Sequence, residues 1–197
     1  HGALPIWSCI NASAVYTPRH GRELAEVLAE RLARVEALPA DDPRAEIAAF
    51  ANPQVAERIS AAIDAGLREP GAEDLTLARR GTPRLVQRGR LAWLLPTIVW
   101  CESADHPLAN REFLFPYASV IECPTERMPQ AIGRTLVVSA ITRQREFAAS
   151  LMSAGNIDRL NIGTIPTWQL SWDQPHEGNL FELLYRQRAL QLEPAGA

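Results

Sequence analysis

The sequence predicts an α/β fold in which a mostly parallel sheet is flanked by helices. Three observations carry that expectation. Short apolar, β-branched runs such as "SAVYT" (13–17), "YASVIEC" (117–123) and "TLVVSAIT" (135–142) read as strands buried on both faces. Between them lie segments whose apolar residues recur at helical spacing. The two kinds alternate along the chain, as they do where helices connect parallel strands.

Taken in order, Ser13 to Thr17 is the first strand. Thr17-Pro18 then predicts a capping residue followed by proline at the first helical position. Leu24, Val27, Leu28, Leu32 and Val35 place one apolar face on that helix, which should run for about five turns. "LPADDPRAE" breaks it, and Asn52-Pro53 opens a second helix carrying Val55, Ile59 and Ile63, which ends at "REPGAED". Arg88-Gly89 suggests a hairpin leading into a more apolar strand at Thr97 to Trp100. After the strand at 117–123 come a short helix (125–132), the strand at 135–142, a helix at 143–154 and a strand, "IDRLNIG", ended by Gly163. A loop rich in tryptophan and proline follows, then a helix from Glu177; residues 186–192 could continue that helix or form an edge strand.

Composition excludes several function classes. A chain of 197 residues with 47% hydrophobic content can bury a sizeable core. Its net charge of −3 argues against a nucleic-acid binder, and no apolar run approaches a membrane span. All 20 basic residues are arginine, so lysine Schiff-base chemistry and P-loop lysines are excluded from this chain. Three cysteines, Cys9, Cys101 and Cys123, fit no disulfide framework, which favours a reducing compartment and a cytoplasmic location.

The residues that could carry chemistry are few. The four histidines form no HxxxH and the cysteines no CxxC, so no metal site is expected. Neither GxGxxG nor GxSxG occurs. Glu112 stands before an apolar run, at the expected entrance of a strand, where a solvated loop acid and a functional carboxylate read alike. Cys9 has polar neighbours in "WSCINAS" and precedes a strand. A buried small apolar side chain and a nucleophile both fit that setting; a thiol at a helix start would have its pKa lowered by unpaired backbone N–H groups.

Together these segments resemble the aldehyde dehydrogenase superfamily, in order over nearly the whole chain. "SCINAS" and "AVYTPRH" are similar to the catalytic-cysteine segment and the strand after it. "ADDPRAEIAAFANPQVAERISAAIDAGLREPGAE" is similar to the helix leading to the family's "eGA" turn, "LLPTIVW" to its "xPTv" strand, and "NREFLFPYASVIEC" to "EExFGPVxxv". "TLVVSAIT" with "FAASLMSAGNIDRLNIG" resembles the family's segment ending in a strand and asparagine.

The resemblance implies a three-layer catalytic domain over residues 1–185, with 186–197 as an oligomerisation strand and tail. It implies Cys9 as the nucleophile that forms a thiohemiacetal and then a thioester, with water or CoA releasing the product. Glu112 would hold the nicotinamide-side ribose of NAD or NADP, Leu114 would stand beside the nicotinamide ring, and Asn161 would lie near the substrate tunnel. An aldehyde substrate and a homo-oligomer built through the C-terminal strand are implied as partners. The chain departs from the pattern at Ile6-Trp7, at Phe115 in place of a glycine, where it would crowd the cofactor, and at "SWDQPHEGNLFE". The family's cofactor domain and general-base glutamate precede its cysteine, so the expectation is a C-terminal half, inactive alone. A non-catalytic binding subunit of the same fold is the rival expectation.

Overall fold

The computed structural model describes residues 12–167, 169, 171, 173–174 and 189–192. They form two compact units, the first holding residues 13–124 and the second the described residues from Thr125 onward together with Ala12.

The first unit is built on a sheet of strands β1 (Ala14–Thr17), β2 (Ala72–Asp74), β5 (Thr97–Cys101) and β6 (Tyr117–Glu122), in the order β1-β6-β5-β2. Strands β1, β6 and β5 are parallel and β2 is antiparallel. Helices α1 (Gly21–Leu32) and α3 (Leu75–Arg80) cover one face, where Ala25, Ala29, Leu75, Ile98 and Val120 are buried together. The connection from β5 to β6 crosses the opposite face. There Tyr117 donates its hydroxyl to the Leu108 carbonyl, and Leu108 lies against Gly66 of α2 (Pro53–Leu67). A Cβ on Gly66 would meet the Leu108 side chain at 2.5 Å, so glycine is what allows the close approach.

Two sequence expectations for α1 are corrected. The helix begins at Gly21, not at Pro18: His20 occupies the cap position in the left-handed region, and Thr17 remains in the strand with its hydroxyl on the Arg19 carbonyl. Its buried stripe is Gly21, Ala25 and Ala29, whereas Leu24 and Val27 are exposed. Small residues take the innermost positions because the helix packs directly on the sheet, with Leu28 and Leu32 flanking them, partly buried against the same core. The second helix starts as expected, with the Asn52 side chain accepting the N–H of Gln54.

Strands β3 (Leu85–Arg88) and β4 (Leu91–Leu94) form the expected hairpin, turning at Gly89 with φ +61°. It shares a second core with Val35, Ala37, Ile47, Trp93 and Leu95. Beside it, the buried Arg84 guanidinium bonds Asp64 at 2.5 Å and Asp74 at 2.9 Å and donates to Ser60. Burial depresses the ionisation of Arg84, but those carboxylates more than offset this and raise its pKa.

In the second unit a 3₁₀ turn (Thr125–Arg127) and α4 (Met128–Ala131) lead to β7 (Thr135–Ala140), α5 (Arg145–Ser153) and β8 (Ile157–Ile162). Strand β8 is central and parallel to both β7 and β9 (Ala189–Leu192). Leu151 of α5 is buried with Ala140, Ile157 and Leu160. The segment left open between helix and edge strand is therefore a strand over 189–192, and its partner is β8 of its own chain. Among the described residues no helix is long and apolar enough to cross a membrane.

Candidate functional site

The amino ends of β1, β5 and β6 lie along one edge of the first unit's sheet, because the three strands run parallel. Residues 110–116 feed β6 at that edge. Phe113 packs edge-on against Tyr117, with ring centroids 4.8 Å apart, and Phe115 lies 6.2 Å from the same ring. These aromatic contacts anchor alternate residues inward. Glu112 and Leu114, between them, face solvent, Leu114 with 48% of its surface exposed.

The Glu112 carboxylate makes no hydrogen bond or ion pair with another described residue, so both oxygens are available to hydroxyl donors. Phe115 is only 4% exposed, its ring turned into the aromatic cluster. The expectation that it would crowd the cofactor side is thereby corrected: the aromatic neighbours Phe113 and Tyr117 draw it inward. The same segment is tied to β1, since the Tyr16 hydroxyl donates to Asn110 Oδ1 at 2.5 Å. Burial pushes the Tyr16 phenol up to about 12, against a smaller opposing effect of the Asn110 bond.

The chain entering β1 is pinned to β6, with Ser119 N–H donating to the Ser13 carbonyl at 3.0 Å. Cys9 lies outside the described residues. The other two thiols are core groups. Cys101 is fully buried, and burial pushes its thiol up to about 12, which makes it a poor nucleophile. Cys123 is buried as well.

Asn161 belongs to the second unit, on β8, and is fully buried. Its Nδ2 donates to Ser139 Oγ at 3.1 Å, and that hydroxyl donates to the Ile165 carbonyl. The structure thus brings Glu112 and Leu114 together on one exposed segment and sets Asn161 in a buried polar row of a separate unit.

Sequence reasoning missed a cleft at the carboxyl edge of the first sheet, of about 380 Å³, lined by Trp100, Glu102, Glu122 and Cys123 among others. Open α/β sheets commonly bind ligands at that edge. Here one of its carboxylates is already engaged: Glu122 accepts the Gly21 N–H at 2.8 Å. Arg159 was missed too; a single arginine in "IDRLNI" carries no signal of its burial.

No family model and no curated protein sequence matches the chain. Solved structures do. A 1-pyrroline-5-carboxylate dehydrogenase is 16% identical with a TM-score of 0.68, over 89% of this chain and 33% of its own. Glyceraldehyde-3-phosphate dehydrogenase from Methanocaldococcus jannaschii, solved with NADP, is 16% identical with a TM-score of 0.64, over 89% and 37%. Lactaldehyde dehydrogenase from Escherichia coli is 15% identical with a TM-score of 0.65, over 84% and 34%. The chain spans about a third of the length of these solved structures. What it shares with them is the fold: parallel sheets flanked by helices, as in the catalytic domain of aldehyde dehydrogenases.

Proposed function

We propose that this chain is the thiol-bearing part of an NAD(P)-dependent aldehyde-oxidising enzyme. The observation that carries the reading is the fold likeness over most of the chain, joined to a partner-free carboxylate at the position where the family resemblance expects one.

In this reading the Cys9 thiolate adds to the aldehyde carbon and forms a thiohemiacetal, its own backbone N–H donating to the developing oxyanion. NAD(P), when bound, supplies the hydride acceptor that turns the adduct into a thioester. Glu112 accepts the two hydroxyls of the ribose, and its donor set fits, since an exposed carboxylate with two open oxygens takes a diol in one plane. Leu114, apolar and exposed beside it, gives the nicotinamide ring a dry neighbour. Asn161 lines the substrate end, and water or another acyl acceptor releases the product. A homo-oligomer formed through the C-terminal strand belongs to the same reading; the strand's second edge, opposite β8, has no partner among the described residues.

The rival reading, a non-catalytic subunit, draws less support than the sequence lends it, because Phe115 is turned away from the surface. Alkylation separates the two. Iodoacetamide at pH 6.5, with mass-spectrometric mapping, should label Cys9 ahead of Cys101 and Cys123. Equal or absent labelling at Cys9 sinks the catalytic reading. With the thiol shown to be reactive, aldehyde-dependent NAD(P)H formation is measured on the chain alone and with a complementing cofactor domain. Cys9→Ala should abolish it, and Glu112→Gln should raise the KM for the dinucleotide.

A further inference from the structure

Strand β8 turns its residues alternately to two faces. Leu160 packs with Leu151 of α5, so Arg159 and Asn161 belong to the opposite face. The register sets Ser139 of β7 and Gln191 of β9 on either side of Asn161, which makes one polar row across the sheet. Carbonyls of the following loop close over it, Ile165 accepting from Ser139 and Gln169 from Arg159 Nη2.

This row is incomplete in a specific way. Arg159 is 2% exposed, and no carboxylate among the described residues forms an ion pair with it. Its Nη1 is buried without an acceptor among the described residues. An arginine stays charged in a protein, so a buried one without a counter-anion is strongly unfavourable. Arg84 shows the contrast in the same chain, with two carboxylates on its guanidinium.

The second open group has the opposite character. Ser139 spends its proton on Ile165, so its oxygen can only accept, and Asn161 must face it with Nδ2. That fixes the amide and leaves Asn161 Oδ1 buried with no donor among the described residues. Gln191 Oε1, beside it, is in the same state.

We propose that this face of β8 binds a small carboxylate carrying a hydrogen-bond donor, such as a hydroxy acid, with the carboxylate on Arg159 Nη1 and the hydroxyl on Asn161 Oδ1. A bare anion satisfies only the arginine. A neutral alcohol satisfies only the amide. Asn161 is the residue this site shares with the proposed substrate end; binding itself needs no thiol chemistry, so its test reads out separately from that of Cys9.

The test is thermal unfolding of the full chain with sodium glycolate, acetate or phosphate, each against chloride at equal ionic strength. Glycolate at about five times its Kd should raise Tm by about 2–4 °C, and acetate by less. Arg159→Gln should remove the glycolate response while leaving the ligand-free Tm unchanged or higher, because it discharges an unpaired buried cation. Asn161→Leu should bring the glycolate response down to that of acetate. Should Arg159→Gln fail to fold, Asn161→Leu and titration calorimetry of the wild type with glycolate decide. A glycolate shift no larger than that of chloride, or one that persists in Arg159→Gln, overturns the proposal. So does a larger response to phosphate than to glycolate.

Discussion

The carboxylate of Glu122, at the end of β6, accepts the backbone N–H of Gly21 at 2.8 Å and so caps a helix that starts about a hundred residues earlier. No residue of α1's own leading segment supplies a side-chain cap, since His20 makes none. Glu122→Ala should therefore cost about 1 kcal/mol, the usual worth of a capping acceptor. Glu122→Gln, which keeps an acceptor and loses the charge, should cost less. Urea unfolding followed by circular dichroism measures both. An Ala variant as stable as wild type would mean that water replaces the carboxylate without loss.

Arg84 is the buried ionic hub of the first unit, and its loss should be severe. Asp74 is 3% exposed at its side chain and would be left charged and unpaired. Arg84→Met should destabilise by about 3–5 kcal/mol. Arg84→Met with Asp74→Leu should recover part of that, because the pair is then removed as a unit. Denaturant midpoints of the two variants give the comparison. A double variant no better than the single one would show that the Thr76 and Leu77 bonds to Asp74 matter more than its charge.

Gly66 lets the β5–β6 connection lie directly on α2. Gly66→Ala should cost about 1–3 kcal/mol by overpacking against Leu108. Leu108→Val added to it should return some of the loss, as the colliding branch becomes shorter. If Gly66→Ala is neutral in thermal unfolding, the connection shifts freely and does not fix the segment that carries Glu112.

Alkaline pH should weaken the first unit. Both Tyr16 and Cys101 have their pKa raised to about 12 by burial, from ordinary values of 10.0 and 9.0. A group that holds its proton more tightly when folded stabilises the fold below its unfolded pKa and ceases to as pH passes its folded one. Stability should therefore fall from about pH 9 to pH 12. Tyr16→Phe should flatten the upper part of that decline, read from urea midpoints across the range, and a phenolate band appearing in full near pH 10 would contradict it.

Much of this architecture is legible in the sequence, and the parts that are not have identifiable causes. Strands β5 and β6 stand out because they are mostly buried and carry nearly unbroken apolar runs, and β1 and β7 through their β-branched, apolar composition. Helix α2 shows itself through Asn52-Pro53, a local signal. The start of α1 is misread because its cap is non-local, and its buried face is misread because close packing on a sheet selects alanine over leucine. Strand β2 and helix α3 escape detection, being 3 and 6 residues long. Glu112 is readable as an acid before a strand, with its solvated and functional readings alike, whereas Leu114 is singled out only by the family resemblance and its exposure is not legible. The orphaned Arg159 is not, since burial of a single arginine depends on a loop crossing over it.

Strand β9 joins β8 after an intervening stretch of more than two dozen residues, so it is synthesised well after the strand it pairs with. Until residues 189–192 emerge, β8 is an edge strand with a row of unpaired amides and the apolar Leu160 and Ile162 beside them. Such an edge recruits other strands. A chain lacking residues 189–192 would keep that edge open for good, so loss of β9 should send the protein into inclusion bodies rather than merely lowering its melting point.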